Sequence, residues 1–274
     1  MDSVPLRVLH LTDIHLFADP ATRWGQAHPA AAFEHVLDAI ADGTWRPDLS
    51  LVTGDLSDDG SDASYEQLRD TLAVLEVPVS VVPGNHDAAE PMRRAFAEGP
   101  VRWTRSVEAG AWRIIALDSQ LVGEARGHLG ADELAALESA LRTSDERPTL
   151  VMLHHPVAPV CPMPSCQLKD AAAFFAITRR FPNVRAAISG HVHCADDRLA
   201  DGVRSLVTPS TCLQAEHPTQ GPVGEEPPFL EVHAISAARR GYRRLELFPD
   251  GRIETEVVWV GEQARTPDPA GGEL

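Results

Sequence analysis

Five short polar blocks, each placed directly after an apolar run typical of a β-strand, constrain the fold of this 274-residue chain more than any other feature. Asp, Asn and His are costly to bury alone, so these residues must find partners at the ends of their strands. In α/β proteins the carboxyl ends of neighbouring strands meet at one edge of a sheet, where such side chains can share a site. The blocks are Asp13-Ile14-His15, Gly54-Asp55, Gly84-Asn85-His86-Asp87, His154-His155-Pro156 and Gly190-His191-Val192-His193.

The spacing of apolar residues between the blocks predicts strands that alternate with helices. We expect strands at 6–12, 49–53, 79–82, 149–153 and 186–189, and helices at 30–41, 63–75, 91–97, 131–141 and 170–180. Asp170 is the expected N-cap of the last helix. Residues 101–108 and 112–117 are typical of an antiparallel pair. After the last block, the predicted strands are 204–208, 229–235, 242–248 and 253–260.

This order of elements predicts an α/β fold in which two mixed sheets pack together with helices outside. No linker or internal repeat divides the chain, so we expect one domain at residues 1–260. Residues 216–228 are rich in Pro, Gly and Glu, and we expect them to form a mobile surface loop. Residues 261–274 are expected to form a disordered tail.

The formal net charge of −16 argues against binding to nucleic-acid polymers or anionic membranes, because both would repel the chain. An anionic substrate is compatible with this charge, since bound cations reverse the field of a site locally. No apolar run is long enough to cross a bilayer. The start, Met1-Asp2-Ser3-Val4-Pro5, lacks the basic and apolar regions of a secretory signal. We therefore expect a cytoplasmic protein without stable membrane insertion.

The four cysteines, Cys161, Cys166, Cys194 and Cys212, are expected to be free or buried thiols in a cytoplasmic protein. Two features leave other roles open. Cys161 and Cys166 are close enough in sequence to pair, and Cys194 directly follows the last polar block. A Cys-x-x-Cys zinc pattern is absent from the sequence.

Each polar block alone has an ordinary alternative, such as a turn with a solvated histidine for Asp-x-His, but all five in this order indicate a metal site. Nitrogen and oxygen ligands suit Fe, Mn, Zn or Co and do not select among them. Two ions about 3.5–4 Å apart would need a bridging carboxylate. Asp55 is the best candidate for that bridge, and Asn85 adds a neutral oxygen that keeps a metal a good Lewis acid.

The order of the blocks resembles the calcineurin-like metallophosphoesterase superfamily, whose pattern is Asp-x-His, Gly-Asp, Gly-Asn-His-Asp/Glu, a later His and Gly-His-x-His. Within it the chain is most similar to class III cyclic nucleotide phosphodiesterases and related bacterial glycerophosphodiesterases. Three segments carry this closer resemblance: Gly54-Asp55-Leu56-Ser57-Asp58-Asp59-Gly60, His154-His155-Pro156 and Pro209-Ser210-Thr211-Cys212.

The resemblance implies a four-layer α/β/β/α sandwich that holds two metal ions, iron or manganese, with zinc and cobalt as alternatives. The first metal would be held by Asp13, His15, Asp55 and His193, and the second by Asp55, Asn85, His154 and His191. His86 would protonate or stabilise the leaving oxygen, and Asp58 would orient His86 unless it is a solvated loop residue. His155 and Thr211 would contact the substrate; the alternatives are a His155 ring that points away and a solvated Thr211. A homodimer is also compatible with the resemblance.

The function that the resemblance implies is hydrolysis of a small phosphodiester, with 3′,5′-cyclic AMP or a related cyclic nucleotide as the leading substrate. A metal-bridging hydroxide would attack phosphorus in line. A glycerophosphodiesterase and a broad phosphomonoesterase or nucleotidase are the alternatives, because the metal-binding residues indicate the type of reaction but not the substrate. From another class, a non-catalytic scaffold on the same fold is the remote alternative. A DNA nuclease is disfavoured by the acidity of the chain.

Overall fold

Two six-stranded β-sheets form the centre of the molecule. The structure is a computed structural model that describes residues 4–143, 146–217 and 234–261. The strands are β1 (Leu6–Leu11), β2 (Leu49–Thr53), β3 (Val79–Val82), β4 (Val101–Arg102), β5 (Ser106–Ala109), β6 (Trp112–Ala116), β7 (Thr149–Met152), β8 (Val184–Ser189), β9 (Asp196–Ala200), β10 (Val203–Val207), β11 (Gln214–Glu216), β12 (Ala234–Ser236), β13 (Arg239–Leu247) and β14 (Ile253–Gly261). The helices are α1 (Pro29–Asp42), α2 (Asp62–Leu72), α3 (Ala89–Ala95), α4 (Gly130–Arg142) and α5 (Ala171–Thr178).

Both sheets are mixed, as the order of elements predicts. The first sheet has the order β14-β13-β1-β2-β3-β4, in which β1 to β4 run parallel and β13 and β14 pair antiparallel. The second sheet has the order β5-β6-β7-β8-β10-β9, with antiparallel strands at both edges. A small antiparallel pair, β11 and β12, lies beside them.

The layers follow from the alternation of side chains along each strand. On β1, Val8 packs into an apolar core between the two sheets, where it joins Trp112 of the second sheet. Its neighbour Leu9 points the other way, into a core covered by α1, α2 and α3. A third core lies under α4 and α5, on the outer face of the second sheet, and contains Leu137 and Phe174. The predicted four-layer α/β/β/α sandwich is therefore confirmed.

The predicted strand at 101–108 is wrong, because the structure divides this segment between the two sheets. β4 pairs with β3 in the first sheet, whereas β5 pairs with β6 in the second. The buried side chains explain the division. Val101 belongs to the core under α2 and α3, and Val107 packs against the core between the sheets, so the chain must cross from one sheet to the other.

The sequence pattern also missed β9, an edge strand with the sequence Asp-Asp-Arg-Leu-Ala. It has no alternation of apolar residues because neither face is fully buried, and even Leu199 is exposed. Asp170 does not cap α5 with its side chain; its carboxylate accepts hydrogen bonds from the backbone N–H groups of Leu129 and Gly130 at the start of α4. Tertiary contacts therefore determine both features.

Some predictions fall on residues outside the described ranges. The predicted tail at 261–274 is described only at Gly261, and the predicted loop at 216–228 only at Glu216 and His217. Glu216 ends β11, so this residue belongs to a strand and not to the predicted loop. Within the described ranges, no helix combines the length and apolar composition that a bilayer crossing requires.

A buried polar network links the two sheets around His10 of β1. The His10 ring lies 2.8 Å from the hydroxyl of Thr53 through Nε2 and 2.6 Å from that of Thr208 through Nδ1. Arg243 of β13 donates to the same Thr208 hydroxyl and to the carbonyl of Val207. Burial, together with the charge of Arg243, lowers the pKa of His10 to about 3. His10 is therefore a neutral imidazole in the folded protein at ordinary pH.

We predict that His10 makes the fold acid-sensitive. The unfolded chain protonates this histidine near pH 6.5, whereas the folded chain keeps it neutral down to about pH 3. The free energy of unfolding should therefore fall as the pH drops, with about 2 kcal/mol of the loss between roughly pH 6.5 and pH 5 due to His10. Urea unfolding of His10→Gln in EDTA should lack this contribution, because glutamine does not titrate.

The control variant for this measurement is Val74→Gln, because Val74 is an exposed residue. It should keep the wild-type pH dependence of unfolding, because it introduces glutamine without removing a titratable group. If His10→Gln and the wild type showed the same pH dependence, His10 would have to bind a proton as readily in the folded protein as in the unfolded chain.

Candidate metal centre

The polar blocks lie at the carboxyl ends of parallel strands from both sheets. The blocks that begin at Asp13, Gly54 and Gly84 follow β1, β2 and β3 of the first sheet, and those that begin at His154 and Gly190 follow β7 and β8 of the second. The two sets face each other across the end of the sandwich, so the predicted ligands meet in one place. Sites at this edge of parallel sheets are the rule in α/β proteins.

The backbone at this edge is unusual. Five of the eight non-glycine residues with positive φ in the described part of the chain belong to the predicted ligand set, namely Asp13, His15, Asp55, His191 and His193. This left-handed conformation costs energy for residues with a Cβ, and it tends to persist where the surrounding structure enforces it at a functional site. The left-handed backbone of the blocks therefore places these side chains at the site.

The ligand atoms of the predicted residues lie close together. His15 Nε2 lies 3.2 Å from His193 Nε2, and His193 Nε2 lies 3.4 Å from an Asp13 carboxylate oxygen. On the other side, His154 Nε2 lies 3.1 Å from Asn85 Oδ1. Facing nitrogens and oxygens at these distances are typical of ligands that surround a cation.

Asp55 lies between the two groups. Its Oδ2 is 3.7 Å from His15 Nε2 and 3.3 Å from His154 Nε2. The charges of His154 and His86 hold the pKa of the Asp55 carboxyl well below its usual range, although burial acts in the opposite direction. An ionised carboxylate in this position can serve as the bridge between two cations.

The orientation of the imidazoles fits metal binding. Each ring donates the N–H that faces away from the cluster to an oxygen: His15 Nδ1 to Asp58, His154 Nδ1 to the carbonyl of Thr53, and His193 Nδ1 to the carbonyl of Leu213. In the neutral form of each ring, the Nε2 that faces the cluster carries a lone pair. Metal-binding histidines are held in this way by an oxygen on the other nitrogen.

His191 is oriented by its Nε2, which donates to the carbonyl of Ser165 at 2.8 Å. Its Nδ1 is therefore the nitrogen that can accept a metal. The ring meets His154 edge to face, with centroids 5.0 Å apart, so His191 joins the group that contains His154. The residues present thus fit two metal ions.

His86 and Asp58 lie beside these groups. Asp58 Oδ1 is 2.9 Å from His86 Nδ1, and the same oxygen accepts from His15. The His86 side chain is 36% exposed, whereas the ligand histidines are buried, and its backbone N–H donates to Asp55 Oδ1. His86 also lies close enough to His15 and Asp55 to reach a shared cation.

The substrate contact predicted for His155 stays a prediction, and the structure shows how the ring is held. The ring is fully buried, with Nδ1 2.9 Å from the hydroxyl of Ser119 and Nε2 2.9 Å from the carbonyl of Ala125. Protein groups therefore occupy both ring nitrogens, and the ring packs against His191. The alternative, a ring that points away from the substrate, is the one this geometry favours.

Thr211 is buried, and its hydroxyl has no hydrogen-bond partner among the described residues. Its backbone N–H donates to the carbonyl of Thr12, one residue before Asp13, so it lies near the first ligand group. The substrate contact predicted for Thr211 stays a prediction.

Asp87 is a residue whose role the sequence did not reveal, although it ends the Gly84-Asn85-His86-Asp87 block. Its buried carboxylate accepts the backbone N–H groups of Leu56, Ser57 and Gly84, and the hydroxyl of Tyr65. Burial and the charge of Asp55 raise the pKa of Asp87 to about 6. The carboxylate ties the loop after β2 to the loop after β3, and so positions the ligands on both.

Trp24 is a second such residue, because its ring stacks on His15 with centroids 4.0 Å apart. It lies in the loop after the first block and also approaches His86, with centroids 6.1 Å apart. An aromatic ring in contact with a ligand histidine restricts the rotamer of that histidine. The only signal in the sequence is an aromatic residue close to the Asp13-Ile14-His15 block.

We predict that Gly190→Ala destabilises the fold strongly. A Cβ at Gly190 would collide with the side chains of Thr12 and Asp13, so the loop after β8 could no longer approach the loop after β1. Overpacking of this kind should lower the free energy of unfolding by about 2 kcal/mol or more, measured by urea unfolding in EDTA.

Gly43→Ala is the matched control, because a Cβ there meets no atom closer than 3.5 Å and the backbone has a negative φ of −69°. Its free energy of unfolding should stay within about 1 kcal/mol of the wild-type value. A Gly190→Ala protein as stable as the wild type would mean that the two loops are not in contact.

The chain is similar to curated proteins over nearly its whole length. It is 34% identical to the 3′,5′-cyclic adenosine monophosphate phosphodiesterase CpdA of Vibrio vulnificus, over 96% of this chain and 93% of the relative. It is 35% identical to the protein of the same name from Pseudomonas aeruginosa, over 93% of this chain and 90% of the relative.

Solved structures show the same fold at lower identity. A dimetal phosphatase from Danio rerio superposes with a TM-score of 0.61 at 16% identity, over 94% of this chain and 99% of that one. The calcineurin-like phosphoesterase family model matches residues 6–195, which include all the predicted ligands. This match and the relatives above show that the chain belongs to the calcineurin-like phosphoesterase family.

Proposed function

We propose that this protein is a two-metal phosphodiesterase that hydrolyses 3′,5′-cyclic AMP or a related cyclic nucleotide. The position of Asp55 carries the proposal, because its Oδ2 lies within 3.7 Å of His15 Nε2 and 3.3 Å of His154 Nε2. A carboxylate between two groups of ligands suits a two-metal hydrolytic site. The substrate is suggested by the names of relatives that align with 96% and 93% of this chain.

The two metals that we propose are iron or manganese, with zinc or cobalt as alternatives, since the ligands offer only nitrogen and oxygen. The ligands proposed for the first metal are Asp13, His15, Asp55 and His193, and those for the second are Asp55, Asn85, His154 and His191. When bound, the metals would activate water as the nucleophile and neutralise the charge of the phosphate.

His86 is the residue that we propose to act on the leaving oxygen. Burial disfavours its charged form, but the charge of Asp55 and the hydrogen bond to Asp58 raise the pKa of His86 to about 9. A protonated imidazole can donate to the oxygen that departs from phosphorus. Asp58 is a positioning residue in this proposal, because it accepts from His86 Nδ1 and so leaves Nε2 to point elsewhere.

The net charge of −16 favours a small substrate over a nucleic-acid polymer. A glycerophosphodiester or a phosphomonoester would use the same metal ligands, so these substrates are the alternatives that a direct comparison must separate. A non-catalytic scaffold would not need the complete set of ligand residues that this chain holds in contact. A cytoplasmic location and a homodimer stay predictions from the sequence.

The experiment that tests the proposed function is a turnover panel with Mn, Fe, Zn or Co supplied. It compares 3′,5′-cyclic AMP, 3′,5′-cyclic GMP, a glycerophosphodiester, a phosphomonoester and bis-p-nitrophenyl phosphate. We expect kcat/KM for a cyclic nucleotide to exceed that for the monoester by at least about tenfold, a difference of roughly 1.4 kcal/mol in transition-state stabilisation. Protein that binds no metal and turns over no diester under any of these conditions would exclude the proposal.

Two variants separate the proposed roles of neighbouring residues. His86→Ala should keep its metal but lose about 100-fold in kcat with cyclic AMP, and less with bis-p-nitrophenyl phosphate, whose leaving group needs little protonation. Asn85→Ala should instead lose metal from the second group, and turnover with both substrates. Metal content is measured by elemental analysis beside the kinetics. Metal loss in His86→Ala would make His86 a ligand or a structural residue.

A further inference from the structure

A second cluster of ligand-type side chains lies outside the candidate metal centre. The ligand atoms of Cys161, Cys166 and His217 all lie within 4.8 Å of one another. The two cysteines are 2% and 1% exposed, and His217 is half-buried. The thiol of Cys194 contacts the His217 ring and packs against the same apolar cluster as Cys161 and Cys166. None of these four residues belongs to the proposed catalytic ligand set.

The cluster unites three segments that are distant in sequence. Cys161 precedes and Cys166 ends a short 3₁₀ turn at Pro164–Cys166, in the segment that follows the His154-His155-Pro156 block. Four residues separate the two cysteines, which is the upper end of the spacing typical of zinc-binding cysteine pairs. Cys194 directly follows the last polar block, and His217 directly follows β11.

The His217 ring has the orientation of a metal ligand. Its Nε2 donates to the carbonyl of Val192 at 2.7 Å, so Nδ1 is the nitrogen that can bind a cation. Histidines that bind metals commonly donate their other N–H to a backbone carbonyl in this way. The thiols of Cys161 and Cys194 both contact this ring, so two sulfur atoms lie beside it.

We propose that Cys161, Cys166, Cys194 and His217 bind a zinc ion. Buried thiolates with one imidazole form the closed tetrahedral sites that zinc occupies in proteins. A disulfide between Cys161 and Cys166 is the competing chemistry, but it would not account for the placement of His217 against both thiols. All four cysteines of the chain are free in the structure.

Such a zinc ion would stabilise two segments that lie beside the candidate metal centre. The carbonyl of Ser165, inside the Cys161 to Cys166 segment, accepts the hydrogen bond from His191 Nε2. Val192, whose carbonyl orients His217, lies between His191 and His193. The zinc would therefore hold both segments that set the orientation of the His191 ring. The inference concerns a structural site and does not depend on the substrate or the catalytic metals.

The test uses the full-length protein, purified under reducing conditions and loaded with cobalt. A sulfur-to-cobalt charge-transfer band in the near ultraviolet reports this site alone, because the proposed catalytic ligands contain no sulfur. We expect the band in the wild type and in Asn85→Ala, and its loss in the double variant Cys161→Ser with Cys166→Ser. That variant should also bind one equivalent of zinc fewer by elemental analysis.

Cys212→Ala is the matched control, since Cys212 is as buried as Cys166 but lies in a different apolar cluster. It should keep the band. His217→Ala keeps the test independent of whether the double variant folds, because it should weaken zinc binding at least about 100-fold in competition with a chromophoric chelator. The absence of the band from fully reduced wild type, or a Cys161–Cys166 disulfide in protein protected from oxidation, would overturn the proposal.

Discussion

The candidate metal centre depends on the face-to-face packing of the two sheets, because neither sheet carries a complete set of ligands. Asp13 and Asp55 follow strands of the first sheet, whereas His154 and His193 belong to loops of the second. The apolar core between the sheets aligns the carboxyl ends of β1 to β3 with those of β7 and β8. The loop after β8 lies so close to the loop after β1 that Gly190 leaves no room for a side chain against Asp13. Loss of this alignment would separate the ligand groups.

Carboxylates hold the loops around the site in place by accepting hydrogen bonds from backbone N–H groups. Asp13 accepts the backbone N–H of His191 through both of its oxygens, and Asp55 accepts that of His86. Asp87 accepts three backbone N–H groups from the loops after β2 and β3. These bonds hold the left-handed backbone of the ligand residues in place and satisfy buried charge. Asp13 and Asp55, which we propose as metal ligands, thus also support the loops.

The predicted elements agree with the structure where their signal is local. The helix predicted at 30–41 is observed as Pro29–Asp42, because its apolar residues recur at helical spacing. The predictions are wrong where contacts with residues distant in sequence determine the local structure. The segment at 101–108 divides between two sheets. Asp170 accepts hydrogen bonds at the start of α4 instead of capping α5. β9 gave no apolar pattern because it is an exposed edge strand.

The amino-acid sequence predicts the ligand residues, their order and their position after strands, because apolar strand patterns and polar blocks are properties of short segments. It does not reveal that both nitrogens of the His155 ring meet protein oxygens, nor which backbone N–H groups Asp87 accepts. It also did not show that Cys161 and Cys166 meet His217. These points emerge only in the folded protein, since each is a contact between residues of separate segments, set by how the sheets pack and where the loops cross.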